Sequence, residues 1–355
     1  MRAESIAFLK ALLDTPGPSG FETAPARLWR KQAETFADSV NIDVGGNSVA
    51  ALRPDSDVRV MFAGHIDEIG FMITHVDDQG FLYFSTIGGW DHQVFVGQRV
   101  EIMTERSTII GVIGKKAVHL IKSEDRDSAS TTKDLWIDIG ARNRAGAKKK
   151  VRIGDAGVIS SESIDFPRRR VVSRSIDNRI GAFVVLEALR LLKRRKLSAG
   201  VFAVATAREE ISWTGGGART SASGIDPTVA IVVDVTHATD HPTVEQKEHG
   251  DIKLGEGPVL TRGSVVNPVV FDLLVSAAKS GGIPYQLSAA PVDTGTDADN
   301  IHSALRGIPT GLVSIPNRYM HSPNEMIDLG DVDKAARLLA EFARKVGAKS
   351  DFRPA

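Results

Sequence analysis

Apolar residues recur at helical spacing from Glu4 to Leu13, and the break Pro16-Gly17-Pro18-Ser19-Gly20 precedes a second helical stretch that reaches about Phe36. Asn41 to Arg53 reads as a hairpin around Gly45-Gly46-Asn47. Val58 to Ile66 follows as a continuous apolar run, the pattern of a strand buried on both faces of a parallel sheet. From Ile69 to about Ile164 the texture changes to short alternating strands, such as Phe71 to Thr74 and Phe81 to Phe84, with Asp77-Asp78-Gln79-Gly80 as a turn between them. Beyond Asp177, helical patterns at 181–195, 268–280, 297–305 and 331–346 alternate with strands near 201, 229, 285 and 311.

This order predicts an α/β protein in two parts. Residues 1–68 and 165–355 form a discontinuous domain, a mixed or parallel sheet flanked by helices, and residues 69–164 form a small β-rich insert. With 42% hydrophobic and 25% charged residues, the chain has the balance of a soluble globular protein. Lysine plus arginine equals aspartate plus glutamate, 44 each, so no global field favours nucleic acid or an anionic membrane. The runs Lys148-Lys149-Lys150 and Arg168-Arg169-Arg170 then read as solvated loops or subunit contacts. No stretch approaches the roughly 18 apolar residues of a membrane span. The absence of cysteine excludes disulfides, thiolate ligands and a cysteine nucleophile. The first residues lack the apolar core of an export signal, and the expectation is a cytoplasmic protein.

Five residues suited to binding metal, His65, Asp177, Glu210, Asp234 and His321, stand at or just beyond the ends of apolar runs. In an open α/β sheet, functional groups gather outside the carboxyl ends of parallel strands. If Asp177 bridges two ions, one also held by His65 and Asp234 and the other by Glu210 and His321, each ion keeps an open position for a bridging water, as catalytic zinc does. Histidine and carboxylate ligands suit zinc, cobalt or manganese and disfavour copper(I). Asp67, two residues from His65 on extended chain, faces the same side and can orient the imidazole. The side chains of the neighbours Glu209 and Glu210 must diverge, which leaves Glu210 as ligand and Glu209 as general base. The chemistry is amide hydrolysis without a covalent intermediate.

Taken singly, each residue has an ordinary alternative. Aspartates after strands cap helices, and adjacent glutamates usually form a solvated face. Spacing alone leaves a two-metal site and five separate structural roles as equal alternatives. His237 and His241 read as surface histidines. Two other activities compete: a glycosidase, which needs carboxyl groups roughly 5 to 9.5 Å apart with no metal between them, and a metal-dependent deacylase of N-acyl amino acids.

Gly64-His65-Ile66-Asp67-Glu68-Ile69-Gly70-Phe71, Asp177-Asn178-Arg179, Glu209-Glu210, Asp234, Gly295-Thr296-Asp297-Ala298 and Arg318-Tyr319-Met320-His321-Ser322-Pro323 together resemble the M42 family of dinuclear metallo-aminopeptidases, members of which are sometimes labelled endoglucanases. Gly88-Gly89-Trp90 and Gly97-Gln98-Arg99-Val100 resemble that family's insert. The resemblance implies a zinc-peptidase core interrupted by a PDZ-like dimerisation domain, dimers that assemble into a tetrahedral dodecamer, and short peptides as substrates. It implies the ligand and base roles above, and places Gly295, Thr296 and Asp297 near the substrate's amino end. Two departures bear on specificity: Trp213 within Ile211–Gly217, and the histidine-rich segment from His237 to His249.

Overall fold

The computed structural model describes residues 1–125, 128–211 and 216–354, so Trp213 lies outside the described residues. Helices α1 (Ala3–Asp14) and α2 (Thr23–Ala33) lead into strands β1 (Ser39–Ile42), β2 (Ser48–Leu52) and β3 (Arg59–His65). Next come β4 (Gly70–Val76), β5 (Leu82–Ile87), β6 (Arg99–Met103), β7 (Thr108–Lys115), β8 (Leu135–Asp138), the short α3 (Arg144–Lys148) and β9 (Ala156–Ile159). Strands β10 (Ile164–Phe166) and β11 (Arg170–Ser173) precede α4 (Ile176–Leu192), β12 (Gly200–Thr206), α5 (Gly216–Ile225) and β13 (Val229–His237). The chain ends with α6 (Gln246–His249), β14 (Val259–Gly263), α7 (Pro268–Ser280), β15 (Gln286–Ala290), α8 (Ala298–Ile301), β16 (Thr310–Asn317), β17 (Glu325–Asp328) and α9 (Leu329–Lys345).

Eight strands form one mixed sheet in the order β1-β2-β12-β3-β13-β16-β14-β15. Its centre, β12-β3-β13-β16, is parallel throughout, so the carboxyl ends of these four strands share one edge. Strand residues alternate between two cores, as a period of two requires. Phe62, Ala203, Ile231, Val233 and Val313 pack with Phe8, Phe183, Leu274, Leu338 and Phe342 of α1, α4, α7 and α9. Met61, Ala63, Val204, Val232 and Leu312 face Ala218, Ala222 and Ile301 of α5 and α8. The mixed sheet flanked by helices is therefore as the sequence pattern predicts.

Strands β4 to β9 close into a barrel in the order β4-β5-β8-β7-β6-β9, filled by Phe71, Phe84, Phe95, Val100, Leu135 and Ile137. β10 stays outside it and pairs with β11, which pairs with β17. Some elements differ from the sequence reading. The 297–305 helix is only the four residues of α8. Strands β11, β14 and β17 and helix α5 form where the pattern predicts no element. The strands are too short to show a period, and α5, Gly-Gly-Ala-Arg-Thr-Ser-Ala-Ser-Gly-Ile, has poor helix propensity that burial of Ala218, Ala222 and Ile225 overrides.

Arg179 ties the amino-terminal segment to this framework. It is fully buried, donates to the carbonyls of Leu12, Thr15, Gly17 and Ile66, and pairs with Glu68 at 2.8 Å. Burial pulls its pKa down to about 10, yet the guanidinium stays charged. Substituting methionine takes the 2.8 Å partner from buried Glu68, leaving it Arg174 at 3.5 Å and the Gly17 amide, and Arg179→Met is expected to cost about 3–5 kcal/mol. A denaturation midpoint unchanged from the wild type would refute that expectation.

Candidate metal centre

His65 is the last residue of β3 and pairs with Thr206, the last of β12. Val232 pairs with Ala63, which sets Asp234 level with His65 on the adjacent strand. Asp234 lies within β13, three residues before its end, rather than beyond the strand. Glu209 and Glu210 follow β12, and His321 follows β16. All of them therefore gather at the shared carboxyl edge of the sheet.

Asp177 reaches the same point from the start of α4. Helical geometry is interrupted at Asp177 and Asn178 and resumes beyond them. Gly181 and Gly64 permit the approach. A Cβ on Gly64 would fall 2.4 Å from the carbonyl carbon of Gly181, and one on Gly181 would fall 2.4 Å from the carbonyl oxygen of Val233. Asn178 fastens the junction, donating to the Val233 carbonyl and accepting from the Gly181 amide, both at 2.9 Å.

The result is a chain of close pairs. His65 Nε2 lies 3.2 Å from one oxygen of Asp177 and 3.9 Å from Asp234, while His321 Nε2 lies 3.3 Å from the other oxygen of Asp177 and 3.4 Å from Glu210. Glu209 Oε2 is 3.8 Å from His65 Nε2. Glu209 and Glu210 thus diverge toward different imidazoles. Asp67 Oδ1 is 3.4 Å from His65 Nδ1, on the ring edge away from Asp177.

The loop after β12 is held by side chains from elsewhere. The amides of Ala207, Arg208, Glu209 and Glu210 donate in turn to Asn47 Oδ1, Glu22 Oε1, Asp67 Oδ1 and Asp67 Oδ2. Arg208 adopts φ 61°, a left-handed conformation uncommon outside glycine, and these bonds hold it there. Asp67, which also accepts from Ser19, therefore positions both His65 and the glutamate pair.

A further carboxylate escapes the sequence reading. Glu325, buried at the start of β17, accepts the Asp177 amide on one oxygen and the His321 amide on the other, each at 2.9 Å. It thereby fixes the spacing between two candidate ligands 144 residues apart in the chain, His321 itself holding φ 57°. The only hint in the sequence is its place four residues after His321.

Electrostatics show how strongly the cluster favours positive charge. Burial lowers His65, but Glu209, Asp177 and Asp67 outweigh it and hold the imidazole well above its usual range. His321 is likewise opposed by burial and pushed up to about 11 by Asp177 and Glu210. Burial raises Glu209 and Asp234 well above ordinary carboxylates, with neighbouring carboxylates adding to it and His65 opposing. Asp177 is raised by burial but pulled below its usual range by the two imidazoles. Protons on the histidines here balance the clustered carboxylates. Among the described residues Glu210 Oε1 is buried without a well-formed hydrogen bond, its nearest polar neighbour being His321 Nε2 at 3.4 Å. Donor atoms within 4.8 Å of one another form two triplets, His65-Asp177-Glu210 and His65-Glu209-Asp234. An orphaned carboxylate oxygen among imidazoles and carboxylates fits hard or borderline divalent cations.

These groups line a cavity of about 300 Å³ with Thr236, His237, Gly295, Thr296 and Met320. Gly295 and Thr296 thus stand in the wall, whereas Asp297 is buried and accepts the Thr206 hydroxyl at 2.5 Å. Burial raises Asp297 to about 6. His237 is exposed, as read from the sequence, but it also forms part of the cavity wall. His241 sits farther out, its ring 5.6 Å from that of Tyr319.

A family model described as M42 glutamyl aminopeptidase matches residues 46–338. The chain belongs to the M42 peptidase family. Lysyl aminopeptidase of Pyrococcus furiosus is 33% identical to this M42 chain over 351 residues, 98% of each protein. A TET aminopeptidase structure from the marine sediment archaeon Thaumarchaeota archaeon SCGC AB-539-E09 matches with a TM-score of 0.93 at 33% identity, covering 98% of each chain. The Pyrococcus horikoshii TET1 peptidase, described as assembling into a tetrahedron or a large octahedral shell, matches with a TM-score of 0.84 at 30% identity over 96% of this chain and all of that one. Membership in the M42 family supports an aminopeptidase activity. Among the described residues no helix is long and apolar enough to cross a membrane.

Proposed function

We propose that this chain is a metal-dependent aminopeptidase that releases N-terminal residues from short peptides. One observation carries the reading: the two oxygens of Asp177 face two different imidazoles, at 3.2 and 3.3 Å, inside a cavity walled by carboxylates. Asp177 would be shared by two divalent ions, zinc or cobalt with manganese also suited. His65 and Asp234 would complete one set of ligands and Glu210 and His321 the other. Bound there, the ions would polarise the scissile carbonyl and acidify the attacking water.

The chain's own groups supply the rest. Glu209, held by the Asp67 bond to its amide, takes the proton of the attacking water and delivers it to the leaving amine. Asp67 sets the His65 ring from behind. Gly295 and Thr296 in the wall, with Asp297 buried behind them, flank the substrate's amino end. A panel of free-amine amino-acid anilides and dipeptides, assayed with zinc or cobalt, should show turnover, and a wholly inactive panel contradicts the proposal. Turnover of N-acylated substrates alone would favour the deacylase. The glycosidase reading needs opposed carboxyls free of metal, whereas here imidazoles stand between them.

Glu325 acts on this centre without facing the substrate. A glutamine in its place would keep one acceptor but turn an NH₂ toward a backbone amide, so Glu325→Gln is expected to weaken metal affinity about 10- to 100-fold. Titration of the metal-free variant reads this directly, and wild-type affinity would refute the role.

The barrel of residues 69–164 is proposed as a PDZ-like dimerisation insert. Its outer wall exposes Ile110 and Val112, which share one face of β7, and Val118 and Leu120 are exposed just beyond the strand. A homo-oligomer built from dimers, up to a dodecamer, is expected. Light scattering that returned a monomer mass at working concentration would oppose it. The cysteine-free composition suits a reducing compartment, and the proposed location is the cytoplasm.

A further inference from the structure

A second cavity, about 780 Å³, adjoins the catalytic one and shares Val235, Thr236, Thr294 and Thr296 with it. Strands β14, β15 and β16 supply Thr261, Ser288, Leu312 and Ser314, and α7 adds Phe271. Thr261 and Ser288 are partners in register, and their hydroxyls hydrogen-bond at 2.9 Å. Thr294 and Thr296 are joined in the same way at 2.9 Å. The charged or titratable residues of the lining, Glu248, His249, Arg262 and Asp293, are all exposed. None of the buried charged side chains among the described residues lines it.

We infer that this cavity receives the side chain of the substrate's N-terminal residue and selects an uncharged one of medium to large size, such as leucine or methionine. The inference rests on the aminopeptidase reading. With the scissile carbonyl between Asp177 and Glu209, the adjoining Cα is one bond away, and its side chain must leave the catalytic cavity close to the reacting atoms. The shared wall of Val235, Thr236, Thr294 and Thr296 lies at that exit. The rest of the peptide runs toward solvent.

Charge decides the selection. A lysyl or glutamyl side chain entering this space gives up water around its charge. The floor returns neutral hydroxyls that are already paired with one another, and the carboxylate behind it, Asp299, is occupied by the Thr294 hydroxyl and amide and the Gly295 amide. Counter-charges at the exposed mouth are solvated and recover little of the loss. An apolar side chain loses nothing of this kind and gains Phe271 and Leu312. The space exceeds what an alanyl methyl can fill, so each added methylene raises the rate. The expected preference thus differs from that in the name of the lysyl relative from Pyrococcus furiosus and from the glutamyl description of the family model.

The test compares kcat/KM for leucyl, methionyl, alanyl, lysyl and glutamyl 4-nitroanilides on the metal-loaded protein. Leucyl and methionyl substrates should exceed each of the other three by about tenfold or more. A lysyl or glutamyl substrate that matched or outran them overturns the inference. Failure of every free-amine substrate overturns the aminopeptidase reading itself, a separate result. A second arm places charge on the floor. Ser288 is half-buried on the edge strand β15, and Ser288→Asp should raise the lysyl-to-leucyl ratio of kcat/KM by about tenfold, Ser288→Lys the glutamyl-to-leucyl ratio similarly. Folding of each variant is read by circular dichroism. Ratios equal to wild type in both folded, metal-loaded variants would show that the N-terminal side chain binds elsewhere.

Discussion

Turnover on leucyl anilide should fall below detection when the protein is stripped with a chelator and return when zinc or cobalt is added back. The reason is electrostatic. His65, Asp177 and Asp234 are buried together with half-buried Glu210, and without cations the imidazoles hold protons where a Lewis acid is needed. No cysteine exists to offer a covalent route, and among the described residues the cavity wall has no lysine to polarise a carbonyl. The protein alone therefore lacks the electrophile that amide hydrolysis requires. Full activity after exhaustive chelation, with metal content shown to be negligible, would end the account.

The second large effect is at Glu209. Glu209→Gln keeps the shape of the side chain and its amide bond to Asp67 but removes the proton acceptor. General-base catalysis contributes about 10²- to 10⁴-fold, and a fall of that size in kcat is expected. Metal affinity should change far less, because a base role leaves His65, Asp177, Glu210, Asp234 and His321 in place, although Glu209 shares a donor triplet with His65 and Asp234. The pair of readouts separates the two glutamates: Glu210→Gln should weaken metal binding first. A Glu209 variant with wild-type kcat, or one that simply loses its metal, would contradict this division of roles.

The parts of the molecule with strong periodicity are readable from the chain alone. Continuous apolar runs at β3, β12, β13 and β16 announce buried parallel strands, and such strands must bring their carboxyl ends to one edge. That logic alone gathers His65, Glu209, Glu210, Asp234 and His321. Asp177 is legible only as a residue preceding a helix. Its entry into the site depends on Gly64 and Gly181 letting two backbones meet, a tertiary fact without a local pattern. Glu325 is invisible for a related reason: β17 is four residues long, and its pairing with β11 is set by partners far away in the chain. The four amides of residues 207–210 find their acceptors on Glu22, Asn47 and Asp67, three separate segments. Hydrogen bonds from side chain to distant backbone carry no periodicity. Asp297 is a similar case: its carboxylate accepts the Thr206 hydroxyl, a bond between segments 91 residues apart that no local pattern announces.

A crystal of the metal-loaded protein measured at the absorption edge of the added ion addresses the central claim most directly. Two anomalous peaks per chain are expected, one among His65, Asp177 and Asp234, the other among Asp177, Glu210 and His321. A single peak that left Asp177 bound to one imidazole-bearing side only, or no peak in this cavity at full occupancy of metal in solution, would contradict it.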